Sequence, residues 1–306
     1  MTSNVSPTLG FIGLGVMGRP MANNLLKAGY PVLIYSRNPE KAAGLVQVGA
    51  HSVESPAAMA RTAEIIFLCL PDTPDVEAVL FGPRGIAHAA RAGLIVVDCS
   101  TISAGATRDF SVRLKSLGVE LVDCPVSGGA KGAEAGTLAG MIGGESATVE
   151  RVLPVLQAIG KKFVHAGPSG SGQVVKACNQ LVIAATLLGI SEAVALARNF
   201  GVDPEIMRTA LAGGAADSFV LQNHARRLIT GALAPGFRAR LMLKDLQLAA
   251  QLAEESGTSS NVTQLAVQQF KRLCETNRGD LDSAAVGLVA QEAQTPARPA
   301  TVRSRG

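Results

Sequence analysis

Three glycines at fixed spacing, Gly13-Leu14-Gly15-Val16-Met17-Gly18, stand between a short apolar run, Leu9–Gly13, and a helical pattern, Met17–Ala28. In that position each glycine has a separate use. The first permits a tight turn, the second lets the backbone approach a pyrophosphate, and the third lets helix and strand pack closely. The helix N-terminus then offers free N–H groups and the positive end of its dipole to phosphate. This is the arrangement that binds a dinucleotide. After the next apolar run come Ser36, Arg37 and Asn38. An acid at that place would hold a ribose 2′-hydroxyl; a serine followed by an arginine suits a 2′-phosphate, so NADP is expected in preference to NAD. A solvated Arg37 is the plain alternative. The strand end Leu70-Pro71 joins the expected cofactor contacts.

Lys176 is the second residue whose type suggests chemistry. It lies in an apolar helical stretch just after Gly170-Ser171-Gly172. Lysines are seldom buried without a use. Burial beside a helix N-terminus favours the neutral amine and moves such a group toward proton transfer near neutrality. Asn179 and Gln180, three and four residues on, share its helix face. A lysine snorkelling from a helix end would look the same. Two loops could complete a site. Asp123-Cys124-Pro125-Val126-Ser127-Gly128-Gly129 follows a strand, and Ser127 with the N–H groups of Gly128 and Gly129 could cradle a carboxylate. Asp98-Cys99-Ser100-Thr101 ends another strand, where Thr101 reads equally as a helix cap or a ligand contact.

The elements that must position these residues alternate along the first half of the chain. Strands are predicted at Leu9–Gly13, Val32–Tyr35, Ile65–Leu70, Leu94–Asp98, Glu120–Asp123, Leu138–Ile142 and Phe163–His165, with helices such as Met17–Ala28 and Ala104–Leu117 between them. This predicts an α/β Rossmann domain, a doubly wound and mainly parallel sheet, over residues 1–168. From Gln173 to Phe200 the stretch is helical and apolar on most sides, which predicts a buried, long interdomain helix. Helical segments near 204–212, 217–230, 241–256, 260–275 and 282–292 then predict an all-α domain over 169–293. Residues 294–306 are low-complexity and expected to be disordered.

Composition excludes several classes. With 306 residues, 47% hydrophobic and 17% charged, the chain can bury a large core. Three of its four net positive charges, Arg298, Arg303 and Arg305, sit in the acid-free tail, so no nucleic-acid partner is expected. Five cysteines without a CxxC pair, Cys178 among them in the apolar helix, read as buried thiols in a reducing cytoplasm. No signal peptide is visible, and the apolar run Leu181–Ile190 is too short to span a bilayer, so no membrane partner is expected. His51, His88, His165 and His224 lack ligand spacing, so no metal is expected.

The stretches GFIGLGVMGRPMANNL (10–25), DCST (98–101), DCPVSGGAKGAEAGTL (123–138), GSGQVVKACNQ (170–180) and PGFRARLMLKDLQLA (235–249) resemble the β-hydroxyacid dehydrogenase family over residues 9–292. The resemblance implies hydride transfer between NADP or NAD and a small hydroxy acid. It implies that Lys176 is the catalytic lysine, with Asn179 or Gln180 orienting it or the carbonyl. Ser127, Gly128 and Gly129 would bind substrate, with Thr101 contacting substrate and cofactor. Only the resemblance lifts Lys244, expected near substrate and nicotinamide, and Phe237, expected to line the same pocket. Many members carry Asn four residues after the lysine, where this chain has Gln180. Lys-x-x-Asn-Gln, with Gly213-Gly214-Ala215 followed by Leu221 and His224, is similar to the tartronate semialdehyde reductase branch. That implies 2-hydroxy-3-oxopropionate as substrate, with 3-hydroxyisobutyrate, succinic semialdehyde and glyoxylate left open. A catalytically silent dinucleotide-binding scaffold is a remote alternative, against which Lys176 stands. A homodimer or homotetramer is expected.

Overall fold

The computed structural model describes residues 6–292. The basic tail, 294–306, lies outside the described residues. The chain divides into two compact units, Met1–Asn179 and Gln180–Gly306.

The first unit is built on nine strands: β1 (Leu9–Ile12), β2 (Val32–Tyr35), β3 (His51–Ser52), β4 (Ile65–Leu68), β5 (Ile95–Asp98), β6 (Glu120–Asp123), β7 (Val126–Ser127), β8 (Leu138–Gly143) and β9 (Gly160–Gly167). Its helices are α1 (Gly18–Lys27), α2 (Glu40–Val46), α3 (Pro56–Ala60), α4 (Thr73–Phe81), α5 (Ala104–Lys115), α6 (Gly129–Ala135) and α7 (Ser146–Leu156). The sheet order is β3-β2-β1-β4-β5-β6-β8-β7, with β9 beside β8. Pairing from β3 through β6 is parallel, and β8 runs antiparallel to β6 and β7. The central strands β1, β4 and β5 are buried at every position. Sheets covered on both faces demand such continuous apolar runs. One core, with Phe11, Phe67 and Met21, fills one face; a second, with Met59, Ile66 and Leu80, fills the other. The strand order reverses between β1 and β4, the point where open α/β sheets leave a crevice at their carboxyl ends.

The chain passes from the first unit to the second within the 29-residue helix α8 (Ser171–Asn199). The second unit continues with α9 (Pro204–Leu211), α10 (Arg226–Thr230), α11 (Ala239–Ser256), α12 (Asn261–Leu273) and α13 (Gly287–Glu292). A π-helical turn, Val220–Ala225, leads into α10. Leu187, Val194, Leu246, Phe270 and Leu273 centre its core.

Three expectations need correction. The helix predicted to be buried all round leaves Val182 and Leu196 65% and 60% exposed, because only the flank carrying Ala184, Leu187, Ile190 and Val194 packs into the core of the second unit. Cys178 shares that open flank and is exposed rather than buried. Finally, the ten-residue run judged too short for a bilayer lies within α8, which is long and apolar enough to cross one by length and composition alone. Of its most apolar window, 44% is buried inside the protein.

Candidate active site

The carboxyl ends of β1, β4, β5 and β6 carry the predicted loops. At the end of β1, Gly13 takes φ +103°, a conformation L side chains rarely adopt. A Cβ on Gly13 would run into the Cys69 carbonyl, and one on Gly18 into the Gly13 carbonyl. Gly15 differs: a Cβ there would meet nothing within 4 Å. Among the described residues its bare backbone therefore serves no neighbour, and it leaves a cradle open. The helix that follows has Met17 at its cap, no side-chain cap bond and no acid in its first turn. Buried Leu14 pins the loop from below while Val16 stands 71% exposed. An anion fits this terminus, and the pyrophosphate of a dinucleotide fits the gap at Gly15. After β2, Ser36 Oγ accepts from Asn38 N, and Arg37 is exposed with its guanidinium 3.6 Å from Asp75.

At the end of β4, Leu70 N donates to Ser100 Oγ at 2.9 Å, and Pro71 is exposed. Ser100 N in turn donates to Asp98 Oδ1 at 2.9 Å, so the loop carrying Thr101 is fixed against its neighbour. Cys69 and Cys99 follow β4 and β5 on the same row. Burial first, and the Asp98 charge second, push the Cys69 thiol up to about 12. The Cys99 thiol's hydrogen bond to Cys124, burial and neighbouring charges hold Cys99 well above its ordinary range. Both thiols stay protonated at neutral pH and are poor nucleophiles.

After β6, β7 pairs with β8 and sets Ser127 opposite Ala139. Gly128 and Gly129 follow with φ +132° and +61° and open α6. Asn24 of α1 donates to the Ala133 carbonyl of α6 at 2.8 Å, tying the dinucleotide-loop helix to the Ser127–Gly129 helix. Lys176, 6% exposed, lies in the second turn of α8, and its Nζ donates to the Val126 carbonyl at 2.9 Å. The structure thus brings Lys176 beside the Ser127–Gly129 loop within the first unit.

In the second unit, Gln180 is buried and its Nε2 donates to Asp245 Oδ2 at 2.6 Å. The Lys244 ammonium sits 3.2 Å from the other oxygen of Asp245. Phe237 packs partly buried on the helical core, and its backbone N donates to Asp282 Oδ2 at 3.2 Å. Asn179 is half-buried at the last position of the first unit.

Several residues of this framework escaped sequence reasoning. Gln173 donates from Nε2 to the Ser100 carbonyl (2.9 Å) and accepts at Oε1 from Ile102 N (3.1 Å). Asp123 accepts from Gly170 N (2.7 Å) and Gln173 N (3.0 Å). Burial pushes its carboxyl upward, and these N–H bonds pull it back. Asp245 and Asp282 complete the group. The available signal was an acid at the end of an apolar strand or directly after a lysine, but nothing local names the partner.

A glycine cradle at a helix N-terminus, a loop with two left-handed glycines, and a buried lysine on one sheet edge define a dinucleotide-dependent oxidoreductase. Comparison with known proteins agrees. Residues 8–167 match the model of the NAD-binding domain of 6-phosphogluconate dehydrogenase. Residues 170–289 match the model described as NAD-binding of NADP-dependent 3-hydroxyisobutyrate dehydrogenase. The chain is 40% identical to 2-hydroxy-3-oxopropionate reductase of Escherichia coli (strain K12) over 278 residues, 91% of this chain and 95% of that one. It is 35% identical to 3-hydroxyisobutyrate dehydrogenase of Pseudomonas aeruginosa, covering 86% and 90%. Among solved structures, Mycobacterium tuberculosis 3-hydroxyisobutyrate dehydrogenase with L-serine superposes with a TM-score of 0.87 at 31% identity, covering 94% and 99%. The chain belongs to the β-hydroxyacid dehydrogenase family. It is an NAD(P)-dependent dehydrogenase acting on the CH–OH group of a small hydroxy acid.

Proposed function

We propose that the enzyme reduces 2-hydroxy-3-oxopropionate with NADPH, and that Lys176 is its proton donor. The observation that carries this is the buried Lys176 ammonium held at 2.9 Å on the Val126 carbonyl, one residue before Ser127. The identity to the Escherichia coli reductase supports the substrate, and Arg37 without an acid before it supports NADPH. Residues 1–168 would form the dinucleotide domain and 169–293 the helical domain of a cytoplasmic homodimer or homotetramer. Neither nucleic acid nor membrane enters this reading.

The cofactor would be held by Gly13 to Gly18 and by Ser36, Arg37, Asn38, Leu70, Pro71, Thr101 and Lys244. When bound it supplies a hydride to the carbonyl carbon of the substrate. Ser127 and the N–H groups of Gly128 and Gly129 take the substrate carboxylate. Addition at carbon drives the C=O π pair onto oxygen, and one N–H of Lys176 stabilises that charge and then gives its proton to it. The amine regains a proton from solvent. The Val126 carbonyl fixes one N–H and so holds the ammonium beside the substrate loop. Gln180, its amide nitrogen bonded to Asp245, and Asn179 would orient the lysine or the carbonyl, and Phe237 would contribute to substrate binding, as the resemblance implies.

A panel of 2-hydroxy-3-oxopropionate, 3-hydroxyisobutyrate, succinic semialdehyde, glyoxylate and L-serine, each with both cofactors, tests the substrate. A higher kcat/KM for any other acid overturns the assignment. Lys176→Met should still bind NADPH and lose roughly 10²–10⁴ in kcat, the range for a lost general acid. Turnover within about threefold of wild type refutes the role.

A further inference from the structure

The first turn of α8 is fastened to two strand ends at once and, through Ser100, to a third. Its entry turn, Pro168 to Gly170, closes with Ser171 N donating to the Pro168 carbonyl at 3.0 Å, and Gly170 takes φ +88°. Asp123, the last residue of β6, is fully buried and receives Gly170 N at 2.7 Å on one oxygen and Gln173 N at 3.0 Å on the other. The slot around that carboxylate has no spare room. A Cβ on Gly172 would come within 2.8 Å of Asp123 Oδ2 and collide with the Met141 carbonyl, and a Cβ on Gly143 would collide with the carboxylate from the other side. Gln173, 2% exposed, then reaches back to the loop after β5, giving a hydrogen bond to Ser100 O and taking one from Ile102 N. Ser100 also takes Leu70 N from the end of β4.

Lys176 stands three residues after Gln173, and Val126 stands three residues after Asp123. The pairs Asp123–Gln173 and Val126–Lys176 are therefore two rungs between the same two segments, 123–126 and 173–176. An α-helix advances about 1.5 Å and turns about 100° per residue. A slip of one residue at the first rung would carry the lysine off the Val126 carbonyl at the second. A simple helix cap could be supplied by one local Ser or Asp at Ser169 or Ser171. This helix instead takes its cap from a strand 47 residues earlier and adds a two-way amide clamp.

We propose that Asp123 and Gln173 are positioning residues for the reaction, a latch that sets the height and rotation of α8 so that Lys176 meets the Val126 carbonyl beside the substrate loop. The inference rests on Lys176 being the proton donor, and the test separates the two. Gln173→Met keeps volume and burial and removes both side-chain bonds. It should lower kcat by about tenfold to a hundredfold, the cost of a misplacement near 1 Å, with NADPH affinity within about threefold. In the Lys176→Met background the same change should lower kcat by no more than about twofold, because nothing remains to be misplaced. Gln173→Glu serves as the second variant and as the control for folding. Its oxygen still accepts from Ile102 N, but when ionised it sets an anion against the Ser100 carbonyl. Protonated, it donates there as the amide does. Burial favours the protonated acid, so its turnover relative to wild type should fall only as pH rises and the side chain ionises.

Equal losses from Gln173→Met in both backgrounds, with Lys176→Met itself impaired, overturn the latch and leave the lysine role standing. A Gln173→Glu turnover that falls relative to wild type as pH falls, when the side chain is protonated and able to donate to Ser100 O, also overturns the latch. Wild-type turnover in Lys176→Met overturns the lysine role, and the latch with it.

Discussion

The three glycines of the first loop should respond to alanine in opposite ways. Gly13→Ala forces a methyl onto a residue at φ +103° and into the Cys69 carbonyl. A non-glycine residue in such a region costs roughly 1–3 kcal/mol. Displacing a packed backbone carbonyl adds roughly 1–3 kcal/mol more. The sum, about 2–6 kcal/mol, falls on the strand end that joins β1 to β4. At roughly 2–4 °C per kcal/mol for a domain of 150–250 residues, melting should drop by about 4 °C or more. Gly18→Ala, aimed at the Gly13 carbonyl, should behave alike. Gly15→Ala meets nothing within 4 Å, and its φ is not in the left-handed region. Its effect on the free protein should be neutral or a gain of about 0.4–1 kcal/mol, because the unfolded chain loses freedom. Its methyl instead fills the space a pyrophosphate needs. Losing one charge-assisted hydrogen bond costs about 1.5–3 kcal/mol, or roughly tenfold to a hundredfold in Kd. Thermal unfolding without cofactor measures the first effect, and fluorescence titration with NADPH measures the second. Gly15→Ala binding NADPH as tightly as wild type would refute the cradle, and Gly13→Ala melting at the wild-type temperature would refute the steric argument.

Two further outcomes follow from Arg37 and His224. Arg37→Ala should raise KM for NADPH on the order of tenfold to a hundredfold and change KM for NADH little, since an arginine–phosphate bond is charge-assisted; equal effects on both cofactors sink the 2′-phosphate role. Burial holds the His224 imidazole below its ordinary value, with Asp282 opposing and Arg227 adding to the shift. A group whose folded value is depressed contributes stability present above the unfolded value, near 6.5, and loses it as pH falls through the folded one. Melting temperatures of wild type and His224→Gln, followed from pH 7.5 to 5.5, should therefore converge or cross as pH falls; a constant gap means His224 titrates alike in the folded and unfolded chain, and burial does not lower it.

Much of the molecule was legible along the chain. Continuous apolar runs such as Ile65–Leu68 and Leu94–Val97 announce a sheet covered on both faces, because only such strands can be buried twice. The glycine spacing after Leu9–Ile12 announces a phosphate loop, since no other residue allows those backbone approaches. A lysine in an apolar helix stands out because burying an ammonium is costly. The two-residue strands His51–Ser52 and Val126–Ser127 were not readable, as two residues carry no period. The open flank of α8 with Val182 and Leu196 was misread for a related reason: a helix apolar on every side does not say which side its own chain will cover. Tertiary structure alone decided the partners. It set Asp123 on the backbone of Gly170 and Gln173, Gln173 on Ser100 and Ile102, and Gln180 with Lys244 on Asp245. These bonds span up to 73 residues of sequence. A hydrogen bond depends on distance and angle in space, and a sequence fixes those only after the sheet has brought the strand ends together.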